Sequence, residues 1–438
     1  MPLLVVAVGL AVLLLLIIIF KVNAFIAFTI SSLVVGIAGG MQIEDIASSI
    51  QQGMGDTLGF LVLILGFGAM LGKLVADSGA AQRITTKLIG FFGVKYIQWA
   101  VVITGFIVGI PMFFSIGFVV LIPLLFTIAI SAGVPLLYVG IPMLASLSIA
   151  HGLLPPHPAP TALAVMFEAD MGKTLIYGII ISVPAIIIAG PLFASRLKRI
   201  DAQPLKEFVN PEVLAEDQMP GTWNSILSTI LPVILIGSSS LANIILSEGD
   251  KLKIVLNAIG DPVIAMLISL IVAIFSLGIM QGRTITDIMD SLGQSISSIT
   301  MILLIIAGAG GFKEVLVETG ISDYIAGLLS KSQMSPLILG WLISAFLRIC
   351  VGSATVAGLT TAGIVLPLVT GGLVNRELML LAIGSGTLIL SHVNDGAFWM
   401  VKEYFSLSVK ETFYTWTVME TLLSVIGLSG VLVLNLFI

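Results

Sequence analysis

The sequence predicts an all-α polytopic membrane protein made of two inverted repeats. Each repeat holds about five transmembrane spans plus a re-entrant hairpin and a broken helix. Three observations predict this. Of 438 residues, 58% are hydrophobic and only 10% charged, against about 25% charged in soluble proteins; mean hydropathy is +1.16. Apolar runs of about 18–22 residues recur from end to end, the length that crosses a bilayer core of about 30 Å as a helix. Strands of a membrane barrel would be shorter and would alternate. Finally, landmarks of the first half return in the second at an almost constant offset of about 240 residues. The 45 glycines and 18 prolines fit close helix contacts and broken helices. The net charge of −5 is spread over short loops, and no basic block suggests a nucleic-acid partner. The single cysteine, Cys350, excludes an internal disulfide and a multi-cysteine metal site.

In order, spans are expected at about 3–21, 23–41 and 57–75. The first run lacks a basic leader and a small-residue cleavage pattern, so it reads as a retained span. An amphipathic, partly charged stretch covers 78–96. The next segment, 99–130, is interrupted by GIPMFFSIG, and 136–166 is interrupted by HGLLPPHPAP. A span at 174–193 closes the first repeat, 1–193. A polar linker, 194–224, carries Pro204, Pro211 and Pro220. The second repeat, 225–438, has spans at about 226–247, 262–280 and 299–316, then a polar stretch at 318–335. Its segment 336–370 is interrupted at CVGSAT, 378–401 is interrupted at SHVNDGAF, and 412–435 ends the chain.

The repeat is legible in four matched landmarks. Asn23-Ala-Phe-Ile-Ala faces Asp261-Pro-Val-Ile-Ala, and Ile43-Glu-Asp-Ile faces Ile285-Thr-Asp-Ile. Lys73-Leu-Val-Ala-Asp-Ser-Gly faces Glu314-Val-Leu-Val-Glu-Thr-Gly, and 167–174 faces 405–412. If 99–130 and 336–370 enter and leave on one side, each half has an odd number of spans, and the second half is inverted. Inverted repeats with discontinuous helices are the architecture of secondary transporters. With both termini extracytoplasmic, twelve Lys and Arg residues fall inside and six outside, as the positive-inside rule asks.

The repeat symmetry brings the four interruptions towards mid-membrane. Arg348 lies in one of them, LRICVGSATVAG, beside Gly352, Ser353 and Thr355. An ionised arginine at that depth costs about 2.5–3.5 kcal/mol or more unless paired, and broken helices free backbone groups that need partners. Charge plus broken backbone points to a solute site, with NH groups at Gly352, Ser353 and Thr355 for an anion. Ser115 at the first hairpin tip is a hydroxyl donor; Phe113 and Phe114 beside it read as packing. His151 and His157 sit among four prolines, where a regular helix is impossible. Each is either a proton carrier or a ring satisfied by a backbone carbonyl. Thr161, Asn394 and His157 are expected to meet substrate hydroxyls. Asp395, His157 and His392 are the candidates for proton coupling; the competing reading of Asp395 is a salt bridge to Arg348.

At these residues the chain resembles the gluconate permease family, the bacterial gluconate:proton symporters of the ion-transporter superfamily. The resemblance runs over essentially the whole length. It rests on GFGAMLGKLVADSGAAQRI, FVVLIPLLFTIA, LLYVGIPM, HGLLPPHPAPTA, ADMGKTLIYG, LRICVGSATVAG, SHVNDGAFW and VKEYFSLSVKET. It implies uptake of gluconate or a similar sugar acid across the bacterial cytoplasmic (inner) membrane, two hairpins, a homodimer and an elevator-like motion. Protons are the implied coupling ion, with sodium as the alternative, and no cofactor is expected. The chain departs from the family pattern at Ser115, where a glutamate is expected, at Ala159, and at Gly396 and Ala397. Idonate, another hydroxy acid or D-serine therefore stand beside gluconate as substrates. An intramembrane metallo-enzyme is disfavoured, because His151 and His157 are six residues apart across prolines with no third ligand evident nearby. Paired breaks bearing titratable groups favour a carrier over a passive channel.

Overall fold

A computed structural model describes residues 2–204, 214–247, 249–319 and 334–438. Most of the polar stretch 318–335, and Lys206 and Pro211 of the linker, lie outside the described residues. Among the described residues the regular structure is helical throughout. The first half contains α1 (Pro2–Leu14), α2 (Ala24–Ala38), α3 (Ile43–Asp77), α4 (Ala80–Phe92), α5 (Ile97–Gly109), α6 (Phe114–Ala132), α7 (Leu136–Leu153), α8 (Pro158–Phe167) and α9 (Met171–Leu192). The second contains α10 (Thr222–Ile245), α11 (Lys251–Ile259), α12 (Pro262–Gln281), α13 (Ile285–Glu318), α14 (Pro336–Val351), α15 (Ala354–Thr370), α16 (Arg376–Gly386), α17 (Gly396–Tyr404) and α18 (Val409–Leu434). Among the described residues seven helical segments, α7 and α8 together counting as one, are long and apolar enough to cross a membrane.

The helices begin where local chemistry lets them. Asn23, Asp170, Asp250, Asp261, Thr284 and Asn375 each cap an N-terminus by accepting a backbone N–H. Pro158, Pro262 and Pro336 occupy first-turn positions, where no N–H is missed. The first-half order of a long helix, two helices flanking a short break and a broken helix returns in the second half.

Two helices are longer than hydropathy indicates. The expected span at 57–75 is the second part of α3, which has 35 residues, and that at 299–316 ends α13, which has 34. At 1.5 Å per residue each reaches about 50 Å. The polar residues that hide their first halves, among them Gln51, Gln52 and Asp56, sit on exposed or half-exposed faces. The opposite faces pack α3 on α13 through small residues. A Cβ on Gly53 would stand 2.4 Å from the Gly310 carbonyl, so the backbones touch there. α3 bends by 43° between Gly59 and Leu61.

Two packing groups result. α1, α2, α3, α12 and α13 form one, joined by α10. α5 to α9 and α14 to α18 form the other, with α7 and α16 nearly wholly buried inside it. α14 and α15 pack on each other across Gly352, as a hairpin requires. Contacts between the groups run mainly through α3 with α8, α13 with α15, and α9 with α10, with smaller ones of α5 with α10 and α8 with α13; α4 packs on both α5 and α10.

The linker is docked on α4. Arg83 is buried, and its Nε donates to the Pro220 carbonyl at 2.9 Å while Nη1 reaches Glu216 at 2.8 Å. Its Nη2 donates to the carbonyls of Glu216 and Met219. Lys87 Nζ meets the same Glu216 carboxylate at 2.7 Å, and Gln82 exchanges hydrogen bonds with the Leu214 backbone. The Lys87 hydrogen bond and charge, then those of Arg83, hold the Glu216 carboxyl below its ordinary value. A depressed carboxyl favours docking above the ordinary carboxylate range, and that contribution is lost as pH falls through the depressed value. Peptic cleavage within 214–220 is therefore expected to rise on acidification. R83A is expected to open the same segment at neutral pH, read as faster amide exchange.

Candidate functional site

The second packing group supplies nearly all the wall of a half-open cavity of about 440 Å³, inside the range of about 300–1,000 Å³ typical of small-molecule sites. Its wall is made where helices stop and start. The first turns of α6, α8, α15 and α17 all border it, through Ser115, Pro158, Thr355 and Ala397 respectively. Each N-terminus carries about half a positive charge, though Pro158 and Pro160 bring no N–H to the start of α8 and Asp395 already accepts from the Ala397 N–H of α17. Four such ends around one low-dielectric cavity make a field that favours an anion.

Arg348 ends α14 on the same wall, only 6% exposed. Its Nη2 donates to Asp395, and its Nη1 to the Gly352 carbonyl. Nε has no protein partner among the described residues. Asp395 is heavily engaged: it accepts from Arg348 and Ser391 through Oδ2, and from the Ala397 N–H at 3.0 Å through Oδ1. Ser391 in turn accepts from Trp416 Nε1 at 2.7 Å. The two breaks are locked together at backbone level. Asn394 Nδ2 donates to the Ile349 carbonyl at 2.8 Å, capping the end of α14. Gly352 adopts φ +78°, and a Cβ there would lie 2.2 Å from the Asn394 carbonyl oxygen. Glycine is required here on both counts.

Of the residues expected at a site, Ser115, Arg348, Gly352, Ser353, Thr355, Asn394 and Asp395 do line this cavity. His157 and Thr161 do not. Both are buried behind the wall, and His157 Nε2 meets the Gly109 carbonyl at 2.8 Å, as the backbone-carbonyl alternative read from the sequence has it, while Nδ1 has no partner among the described residues. His392 is half-buried with Nδ1 unpartnered, and it too is off the wall. His151 is on it, edge-on to His157 at 5.4 Å between ring centres. The wall also holds Glu420 and Ser148, which sequence reasoning missed. A lone carboxylate inside the otherwise apolar last span was the available signal.

The family model described as "GntP family permease" matches residues 1–437. This chain belongs to that family. The permease is 52% identical over 435 residues to the Gnt-II system L-idonate transporter of Escherichia coli K12, covering 99% of each chain. It is 50% identical over 438 residues to a high-affinity gluconate transporter of the same organism, covering 100% of each. Among solved structures, the YdaH transporter of Alcanivorax borkumensis matches with a TM-score of 0.67 at 18% identity, over 94% of this chain and 96% of that one. That likeness concerns the fold. The protein is thus a helical multi-pass membrane permease and not an enzyme.

A cavity with this lining can hold an anion against a guanidinium and helix N-termini, with hydroxyls from Ser115, Ser353 and Thr355 beside it. Its geometry depends on Gly352. G352A places a β-carbon in the left-handed region and against a carbonyl, at a cost of about 1–3 kcal/mol for the backbone conformation alone. It is expected to lower the thermal midpoint in detergent and to reduce uptake, whereas S353A lowers uptake with a much smaller change in midpoint.

Proposed function

We propose that this permease takes up a sugar acid of the gluconate and idonate class across the bacterial inner membrane by proton symport. The observation that carries the proposal is the convergence of Arg348 and four helix N-termini on one cavity. The relatives named for gluconate and L-idonate support the substrate class, and identities of 50% and 52% do not choose between the two.

The substrate carboxylate competes with Asp395 for Arg348 and takes the N–H groups at the start of α15. Its hydroxyls meet Ser115, Ser353, Thr355 and Asn394. Arg348 thus has a partner in both states, which removes the cost of an unpaired buried charge. The inverted repeats, 1–193 and 225–438 about the linker, belong to the same proposal, as do the extracytoplasmic termini and the homodimer. So does an elevator-like motion of the site-bearing group against the other. Its support is the lining: among the described residues, Ile302 of α13 is the contribution of the α1–α3 and α12–α13 group to the cavity. The sugar-acid site would then move with its own body past a single apolar neighbour.

The test is uptake of labelled gluconate and idonate into proteoliposomes. Charge-assisted hydrogen bonds contribute about 1.5–3 kcal/mol each, so R348A is expected to weaken substrate binding by about 100-fold. R348A also strands Asp395, a cost of about 3–5 kcal/mol. R348A/D395A relieves that cost, and it is expected to recover stability in detergent without recovering uptake. Uptake at the wild-type level in either variant would remove Arg348 from the substrate site.

A further inference from the structure

Glu420 lies in mid-α18 and lines the same cavity while only 1% exposed. Ser148 of α7 donates a hydrogen bond to its Oε1. Among the described residues no salt bridge reaches it, and Oε2 has no hydrogen-bond donor. The charged and titratable groups bordering the cavity with it are His151 of α7, Arg348 of α14 and Asp395 at the start of α17. α9 and α16, packed on the same helix, bring no ionisable side chain to the cavity. Arg348 is committed to Asp395 and Gly352, so Glu420 has no cation of its own. An unpaired buried carboxylate is costly, and either a proton or a metal cation would relieve it.

We propose that Glu420, in place of Asp395 or His157, is the proton-binding group of the transport cycle. Asp395 is the weaker candidate because three donors already hold its charge. His157 is weaker because its ring lies behind the wall on a backbone carbonyl. The assignment rests on the symport reading above and deepens it. With Glu420 ionised, an entering sugar-acid anion would share one small cavity with an uncompensated negative charge. A proton from the outer solution, added to Oε2, removes that repulsion, and the anion then binds. Release inside returns the proton to the cytoplasmic solution and leaves the carboxylate. With the Arg348–Asp395 pair neutral, the empty ionised site and the loaded protonated site carry the same net charge. The substrate-only and proton-only sites each differ from these by one charge. That difference discourages slippage with one partner alone.

Accumulation in proteoliposomes should therefore follow the pH gradient. At one proton per monoanion, one pH unit (acid outside) is expected to give about ten-fold accumulation. E420Q mimics the protonated form, so it is expected to lose this accumulation while labelled substrate still exchanges against unlabelled substrate. E420D should restore part of the gradient-driven uptake. Carbodiimide, which attacks protonated carboxyls, should label Glu420 in the wild type, and less so as pH rises. Three results would overturn the assignment. One is E420Q accumulating substrate like the wild type with the same pH dependence. Another is E420Q losing exchange and accumulation together while the inserted protein keeps its thermal midpoint. The third is accumulation driven by a sodium gradient at constant pH and lost in E420Q, which would make Glu420 a cation ligand. A wild type that carries sugar acid with no response to pH or an uncoupler would instead defeat the symport reading itself.

Discussion

A guanidinium inside a membrane protein has to be paired, and the rest of this site is arranged around that demand. Arg348 finds its partner 47 residues away in sequence, at Asp395. The meeting requires two chain breaks at one depth, each exposing backbone groups that need partners of their own. Asn394 supplies them to the end of α14, Ser391 and the Ala397 N–H complete Asp395, and Trp416 holds Ser391 in place. Gly352 lets the two backbones approach. An alternative position for any one of these residues would leave a charge or a carbonyl unsatisfied in a low-dielectric interior, where an orphaned polar group is most expensive.

The same breaks create the anion field. A continuous helix has one positive end, placed at the membrane surface. Cutting helices within the second packing group brings four such ends to one cavity, and the prolines and glycines that do the cutting cannot continue a regular helix. Because Arg348 is already paired with Asp395, much of the attraction for an anion in the proposed site would come from these fixed dipoles. They need no counter-charge, and they do not reorganise when a ligand enters.

How much of this was legible in the sequence depended on whether a residue broke a pattern. Arg348, the Gly352–Thr355 run and the Asn394-Asp395 turn interrupt long apolar segments, and each was found from that interruption. Ser115 was found in the same way, at the tip of a broken segment. Ser148, in α7 ahead of its break, and Glu420, in mid-α18, lie within regular helical turns and disturb hydropathy by one residue, so a window average conceals them. The reverse error affected His157 and Thr161: proximity in sequence to a break does not say whether a side chain lands on the cavity wall or behind it. The full extent of α3 and α13 was hidden for a related reason. Their polar first halves carry no hydropathy signal; the contact of Gly53 with Gly310 shows that the turns of α3 pack, and the Ser291 hydrogen bond to Asp77 shows that those of α13 do.

The two packing groups differ in what holds them together, and this bears on which one carries the site. The α3–α13 contact is made by small residues with backbones close together, a geometry stabilised by van der Waals contact over a long interface and intolerant of sliding. The site-bearing group closes on itself through the Arg348–Asp395 pair and the hydrogen bonds around Ser391. All of these lie inside it and cross no boundary. The Arg348–Asp395 pair and Glu420 therefore stand in one packing group, with Ile302 the apolar neighbour from the other. In the proposed transport cycle the polar network around Arg348 can stay intact as that group moves past Ile302, whereas the Ser240–Asp170 hydrogen bond between α10 and the start of α9 would have to break.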